Sequence, residues 1–370
     1  MAELEEKTER LVRLLAENEL DAVILNSQHN FAWATGGGSN GVDLSRENGV
    51  ASLMVSRDGR RTIFANNIEM QRMLAEQVSG SFEPIEFSWQ DEKTDGSIVL
   101  KMAKQILGGD AKIATDIPMF AEASVIEGKV ATCRYRLTAE EQKRYRELGR
   151  DTGLAMDRLV GKLEQGDTEI EIAEKLWHEL GKAGIASVVT LIAADERISQ
   201  FRHPAPTTNR WQKTLLLVTC AKRHGLIASL SRMVSIGEPD DELKRKTEAA
   251  AYVNATLLDG TRPGATGSDL YKVAADAYAA TGFGDEINLH HQGGAAGYRT
   301  RDWVAHPKSG ETVQPDQAFA WNPSITGTKV EDTTIVTTDG IEIISSSAAF
   351  PQIESIIDGR SYLSPGVLTI

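Results

Sequence analysis

Apolar positions three and four apart, Leu4, Leu11, Leu14 and Leu15 among charged neighbours, predict an amphipathic helix over residues 3–18. Asp21-Ala-Val-Ile-Leu25 follows as a buried strand, and residues 30–38, aromatic at Phe31 and Trp33, as a short strand ending in a glycine loop. Residues 49–55 and 61–65, apolar on either side of Arg57-Asp-Gly59, predict a hairpin. Helical stretches near 67–78 and 95–107 and a strand at Lys112-Ile-Ala-Thr115 complete a layered α/β region. Thr138 with Glu141 three residues on is a capping box, and it opens a charged amphipathic helix to about residue 160. The boundary between domains is therefore expected there, giving domains 1–135 and 136–370.

The second domain carries an internal echo. Residues 166–184 resemble residues 264–282 at an offset of 98, each preceded by a long helix (near 138–160 and 239–258) and followed by strands. Such a duplication predicts two α-and-β halves about a pseudo-twofold axis, with a site drawing on both.

Composition narrows the function. The chain has 370 residues, 41% hydrophobic and 25% charged, with a net charge of -13 and no Lys/Arg cluster, so nucleic acid and anionic membranes are disfavoured as partners. No apolar run approaches membrane-spanning length and the first residues are charged, so a cytoplasmic location is expected. Cys133 and Cys220 are isolated thiols without a CxxC pair, and packing is the expected role of both.

Chemistry concentrates between Asn288 and Asp302, where His290, His291, Gly293, Gly294, Gly297, Arg299 and Arg301 crowd one segment. Glycines allow close backbone approach, imidazoles titrate or ligate near neutrality, and a guanidinium matches a carboxylate. The segment reads as one wall of a small-molecule site.

Three regions of the second domain resemble the creatinase, prolidase and methionine aminopeptidase superfamily, the pita-bread fold. They are Gln200-Phe-Arg-His-Pro204, the hairpin from Leu215 to Arg232, and His290 to Gly297 followed by Trp321-Asn-Pro-Ser324 and Val330-Glu-Asp-Thr-Thr-Ile-Val-Thr337. The first domain resembles the superfamily's N-terminal partner domain. By resemblance the two-metal site falls on Thr219, Ser229, Gly294, Asn322 and Glu331, of which only Glu331 keeps a ligating side chain. Two hard cations need several oxygen or imidazole ligands, so no metal or other cofactor is expected and the metal-independent creatinase branch is the nearest match.

That branch implies His203, His290 and Glu331 as catalytic residues, with His203 the acid/base in hydrolysis of a carbon–nitrogen bond. It also implies Arg301 and, from the partner of a homodimer, Arg46 as forks for the substrate carboxylate, and His291, Ser231 and Trp321 as further substrate contacts. Ser231 stands where the branch has a guanidinium-binding glutamate, which moves the expected substrate from creatine itself toward a neutral amide or another carbon–nitrogen bond, amide or guanidino, in a small carboxylate-bearing compound. Phe31, Trp33 and Trp321 are candidate pocket walls, although aromatics in strands more often belong to the core. The competing readings are an Xaa-Pro dipeptidase-type metallopeptidase with a degenerate metal site, a lyase on the same scaffold, and a binding protein without catalysis.

Overall fold

The helix Ala2–Glu17 turns Leu11, Leu14 and Leu15 inward, as its periodicity requires, and also buries Lys7, whose ammonium donates to Glu3 Oε1 at 2.6 Å and the Trp33 carbonyl at 2.8 Å. It covers the first of two units, Met1–Arg134 and Tyr135–Ile370, in the computed structural model, which describes residues 2–370. The first unit is built on a six-stranded mixed sheet in the spatial order Glu83–Phe87, Arg61–Asn66, Asn48–Ser56, Ala22–Ser27, Ile113–Thr115, Ser124–Val125. Its hairpin pairs Val55 with Arg61 and Ala51 with Ala65 across the Asp-Gly turn.

One element differs from expectation. Gln28–Ala34 is a helix, not a strand, because Ser27 ends the strand before it and caps the new turn, its hydroxyl accepting from the Asn30 N–H at 3.3 Å. His29 through Ala34 are buried on every side, and a run without a polar face gives no period by which helix and strand are told apart.

The second unit repeats its helices. Ala139–Val160 is capped by Thr138 and Glu141, Glu169–Gly181 by Thr168 and Glu171, and Gly267–Ala280 by Thr266 and Asp269, while Asp240 caps Asp241–Gly260. The caps at 168 and 266 stand 98 residues apart and each makes an antiparallel bridge to a later segment, Thr168 to Arg210 and Thr266 to Thr312. The offset in the sequence is thus an offset in structure. A four-stranded sheet runs Val367–Thr369, Leu226–Ser235, Thr214–Arg223, Ala186–Ala194, and a five-stranded sheet runs Trp303–Val304, Gly293–Ala296, Ala318–Trp321, Asp332–Thr337, Gly340–Ile343. Helix Ala139–Val160 passes so close to the chain near Ile344 that a Cβ on Gly153 would lie 2.1 Å from the Ser346 carbonyl.

Buried Arg232 ties the sheets together. Its guanidinium donates to Asp332 Oδ1 at 2.8 Å, to the Glu331 carbonyl at 3.0 Å and to Ser347 Oγ at 2.7 Å. A bridge between Ser231 and Glu331 follows, and the site is assembled around it.

Candidate active site

Side chains alternate along the strand Thr214–Arg223, and its pairing of Val218 with Ser231 and Cys220 with Ser229 sets one face of it toward a cavity of about 130 Å³. Val218 and Cys220 line that cavity together with Val189, Leu191, His203, His291, Thr300, Arg301, Asn322, Lys329 and Glu331. Thr219 lies between them and therefore faces the other way, its hydroxyl 2.8 Å from Ser187 Oγ. Thr219, expected at a ligand position, does not face the cavity; its neighbours Val218 and Cys220 do. Ser229 is buried with its hydroxyl donating to Cys220 Sγ at 3.2 Å.

Glu331 forms the floor, 2% exposed, with both oxygens taken. Oε1 accepts from Arg301 Nη2 at 2.9 Å; Oε2 accepts from Ser231 Oγ at 2.6 Å and lies 2.9 Å from Lys329 Nζ. Burial alone would raise this carboxyl, but Lys329 and Arg301 beside it outweigh burial and hold it down to about 2. Glu331 is consequently a fixed anion, not a free base, and Ser231 positions it. Lys329 was not foreseen as a site residue. The available signal was its place two residues before Glu331 on extended chain, a spacing that turns both side chains the same way.

Three imidazoles converge here, of which His203 and His291 line the cavity. The loop bearing His203 is fastened by its neighbour Arg202, whose guanidinium pairs with Glu286 and donates to Ser324 Oγ at 3.2 Å and Thr326 Oγ1 at 2.8 Å. His290 Nε2 lies 3.1 Å from His203 Nε2, and its Nδ1 lies 3.3 Å from Ser324 Oγ. His291 stacks on His290 with ring centroids 4.6 Å apart. Burial, with Lys329 close by, pushes His290 down to about 3; burial, with Arg301 next in effect, pushes His291 down to about 4; burial and Lys329 lower His203 as well. The surroundings thus favour the neutral form of all three rings. Burial raises the Cys220 thiol, which keeps it protonated and fits packing, not attack.

One expected substrate contact lies elsewhere. Trp321 is fully buried in the core, stacked on Phe319 at 5.6 Å with its indole N–H donating to Thr261 Oγ1 at 2.9 Å, because alternation on its strand turns it away from the cavity that its neighbour Asn322 lines. Phe31 and Trp33 are core residues of the first unit. Arg46, also in the first unit, is 67% exposed and paired with Asp43 at 3.0 Å.

The family's two-metal centre does not fit these residues. Val218 or Thr219, Ser229 and Gly294 offer no ligand, Asn322 offers one neutral oxygen, and Glu331 is already held by three partners. At Gly294 the loss is structural as well as chemical, since a Cβ there would lie 2.1 Å from the Trp303 carbonyl across the strand pair.

Comparison with known proteins gives a family and a set of relatives. The model described as metallopeptidase family M24 matches residues 143–338, and that of the creatinase/prolidase N-terminal domain matches residues 7–154. An Xaa-Pro dipeptidase of Lactobacillus helveticus is 26% identical over 271 residues, 69% of each chain. One from Pyrococcus furiosus is 21% identical over 361 residues, 93% of this chain and 99% of that one. The solved Xaa-Pro dipeptidase from Bacillus anthracis superposes with a TM-score of 0.80 at 20% identity, covering 99% of this chain and 100% of that one. These relatives overturn the expectation of a metal-independent creatinase-like hydrolase: they carry the dipeptidase name, and the matching model is that of a metallopeptidase family. The expected superfamily and its two-domain α/β architecture stand.

Proposed function

The chain belongs to metallopeptidase family M24, with a creatinase/prolidase N-terminal domain ahead of it, and on that premise we propose that it hydrolyses the peptide carbon–nitrogen bond of small Xaa-Pro peptides bearing a free carboxylate. The observation that carries the reading is a pair of residues on one cavity, each with an unsatisfied polar atom. Arg301 and Asn322 both line it, and Arg301 Nε, a donor, and Asn322 Oδ1, an acceptor, are buried without a hydrogen-bond partner among the described residues. A buried polar atom left unpaired costs about 1–3 kcal/mol, so a ligand that satisfies both atoms gains on binding.

The charge distribution supports a carboxylate-bearing ligand. Arg301 and Lys329 share the one anion Glu331, leaving an excess positive charge at the cavity floor. In the proposed complex the peptide's carboxylate lies toward Arg301 and Lys329. Asn322 Oδ1 accepts an N–H of the Xaa residue, and His203, His290 and His291, unprotonated, face the scissile bond and orient water. A cavity of about 130 Å³ suits one small residue, with the rest of the peptide at the open mouth. The proposal includes a homodimer in which exposed Arg46 of a partner subunit reaches the carboxylate; Arg46→Ala would then raise KM, and dilution below the dimer's dissociation constant would abolish turnover.

Assay of Xaa-Pro dipeptides against their C-terminal amides tests the reading. Free imino acid should be released from the acids, with kcat/KM at least about 10²-fold lower for the amides, the worth of a charge-assisted contact. Equal rates on both would remove the carboxylate anchor. A second reading, a peptide-binding protein without turnover, is favoured by the lost ligand positions. It requires that calorimetry register Xaa-Pro binding while no imino acid appears.

A further inference from the structure

The residues that fail to make the family's two-metal centre lie beside others that meet the needs of a different one. We propose that His203, His290 and His291 together hold a single divalent transition-metal ion of the zinc class. The three come from two segments 87 residues apart in sequence and converge so that their candidate donor nitrogens all lie within 4.8 Å of one another. A tetrahedral ion with nitrogen donors at about 2.0–2.1 Å separates neighbouring donors by roughly 3.3–3.4 Å. The His203 and His290 Nε2 atoms stand 3.1 Å apart, close to that edge. His203 and His291 are only partly covered, which leaves their rings free to turn the remaining distance.

The surroundings suit such an ion. Ser324 Oγ at His290 Nδ1 fixes that ring with Nε2 toward His203, the arrangement in which an outer partner orients a metal-binding imidazole. Three imidazoles without a thiolate or a free carboxylate favour zinc, copper, nickel or cobalt over magnesium or calcium. Since Glu331 is occupied by Arg301, Ser231 and Lys329, the protein supplies three donors and leaves one position open. The nearby ammonium and guanidinium favour an anion there. This site shares none of its donors with the five family positions, and it does not depend on the peptidase reading.

Titration of the untagged, metal-stripped protein with Co²⁺, followed by visible absorption, tests the proposal directly. One equivalent per chain should bind with the intense bands of a four-coordinate ion and be displaced by Zn²⁺. His203→Ala and His290→Ala should each weaken Co²⁺ binding at least about tenfold with circular dichroism unchanged, and His291→Asn should do the same if either alanine variant misfolds. His306→Ala, at an exposed histidine outside the cluster, should bind as the unaltered protein does. Absence of stoichiometric uptake, or uptake unaltered in the His203→Ala/His290→Ala double variant, would overturn it. Hydrolysis is not the readout, so a chain that binds Co²⁺ but cleaves nothing upholds this site and removes only the peptidase reading.

Discussion

Glu331 has no oxygen to spare, and that fixes what its neighbours do. Lys329→Met would leave the buried carboxylate with Arg301 and Ser231 alone, a loss of about 2 kcal/mol measurable by urea unfolding. The same variant should raise KM about tenfold or more for free-carboxylate peptides and leave KM for the amides unchanged, because it removes charge at the floor and nothing at the histidines. Trp321 behaves oppositely. Enclosed between Phe319 and Thr261, its replacement by alanine should destabilise by about 3–5 kcal/mol through the cavity left behind. Calorimetric Tm would record that loss, and KM on whatever enzyme remains folded should not move.

Helix ends are where this sequence speaks plainly at the scale of elements. Capping boxes satisfy backbone N–H groups with their own side chains, so Thr138, Thr168 and Thr266 mark three helix starts whatever packs around them. Thr168→Ala and Thr266→Ala should each cost about 1 kcal/mol, and equal losses in chemical denaturation would reflect the shared offset. Gly153→Ala should cost more than either, since its Cβ would meet the fixed Ser346 carbonyl and not a mobile side chain. Strand faces were less legible. A shift of one residue turns every side chain to the opposite face, and the hairpin Leu215 to Arg232 carries no charged residue between Leu215 and Ala221 to pin its register; Thr219 is thereby expected on the face that Val218 and Cys220 occupy. The helix Gln28–Ala34 escaped for want of a polar side, and Lys329 because its meaning depends on a partner, Glu331, whose own pairing only the fold reveals. His203, His290, His291 and Arg301, by contrast, stand in segments that resemble the superfamily, and the fold brings His203, His291 and Arg301 to one cavity, with His290 against His203.

For the molecule as a whole, acid sensitivity should trace in part to one buried network in the first unit. Glu127 Oε1 lies 3.1 Å from His29 Nε2 and accepts from Arg134 Nη2 at 3.0 Å, and Oε2 accepts from Asn30 Nδ2 at 2.6 Å. Burial works to raise this carboxyl, but the histidine and arginine prevail and it is held down to about 2. A folded-state value below the usual carboxylate range means stability that is present above about pH 4.5 and lost as pH falls toward 2. Glu127→Gln should therefore destabilise by about 2 kcal/mol at pH 7. The gap to the unaltered protein should narrow steadily between pH 5 and 3, and a constant gap across that range would deny Glu127 this role. The strand pair at Gly294 also limits how this cavity can be re-engineered. Any side chain placed there would meet the Trp303 carbonyl with its Cβ, so a ligand cannot be installed at that position without moving the neighbouring strand. A designed site has to be built on the groups already present.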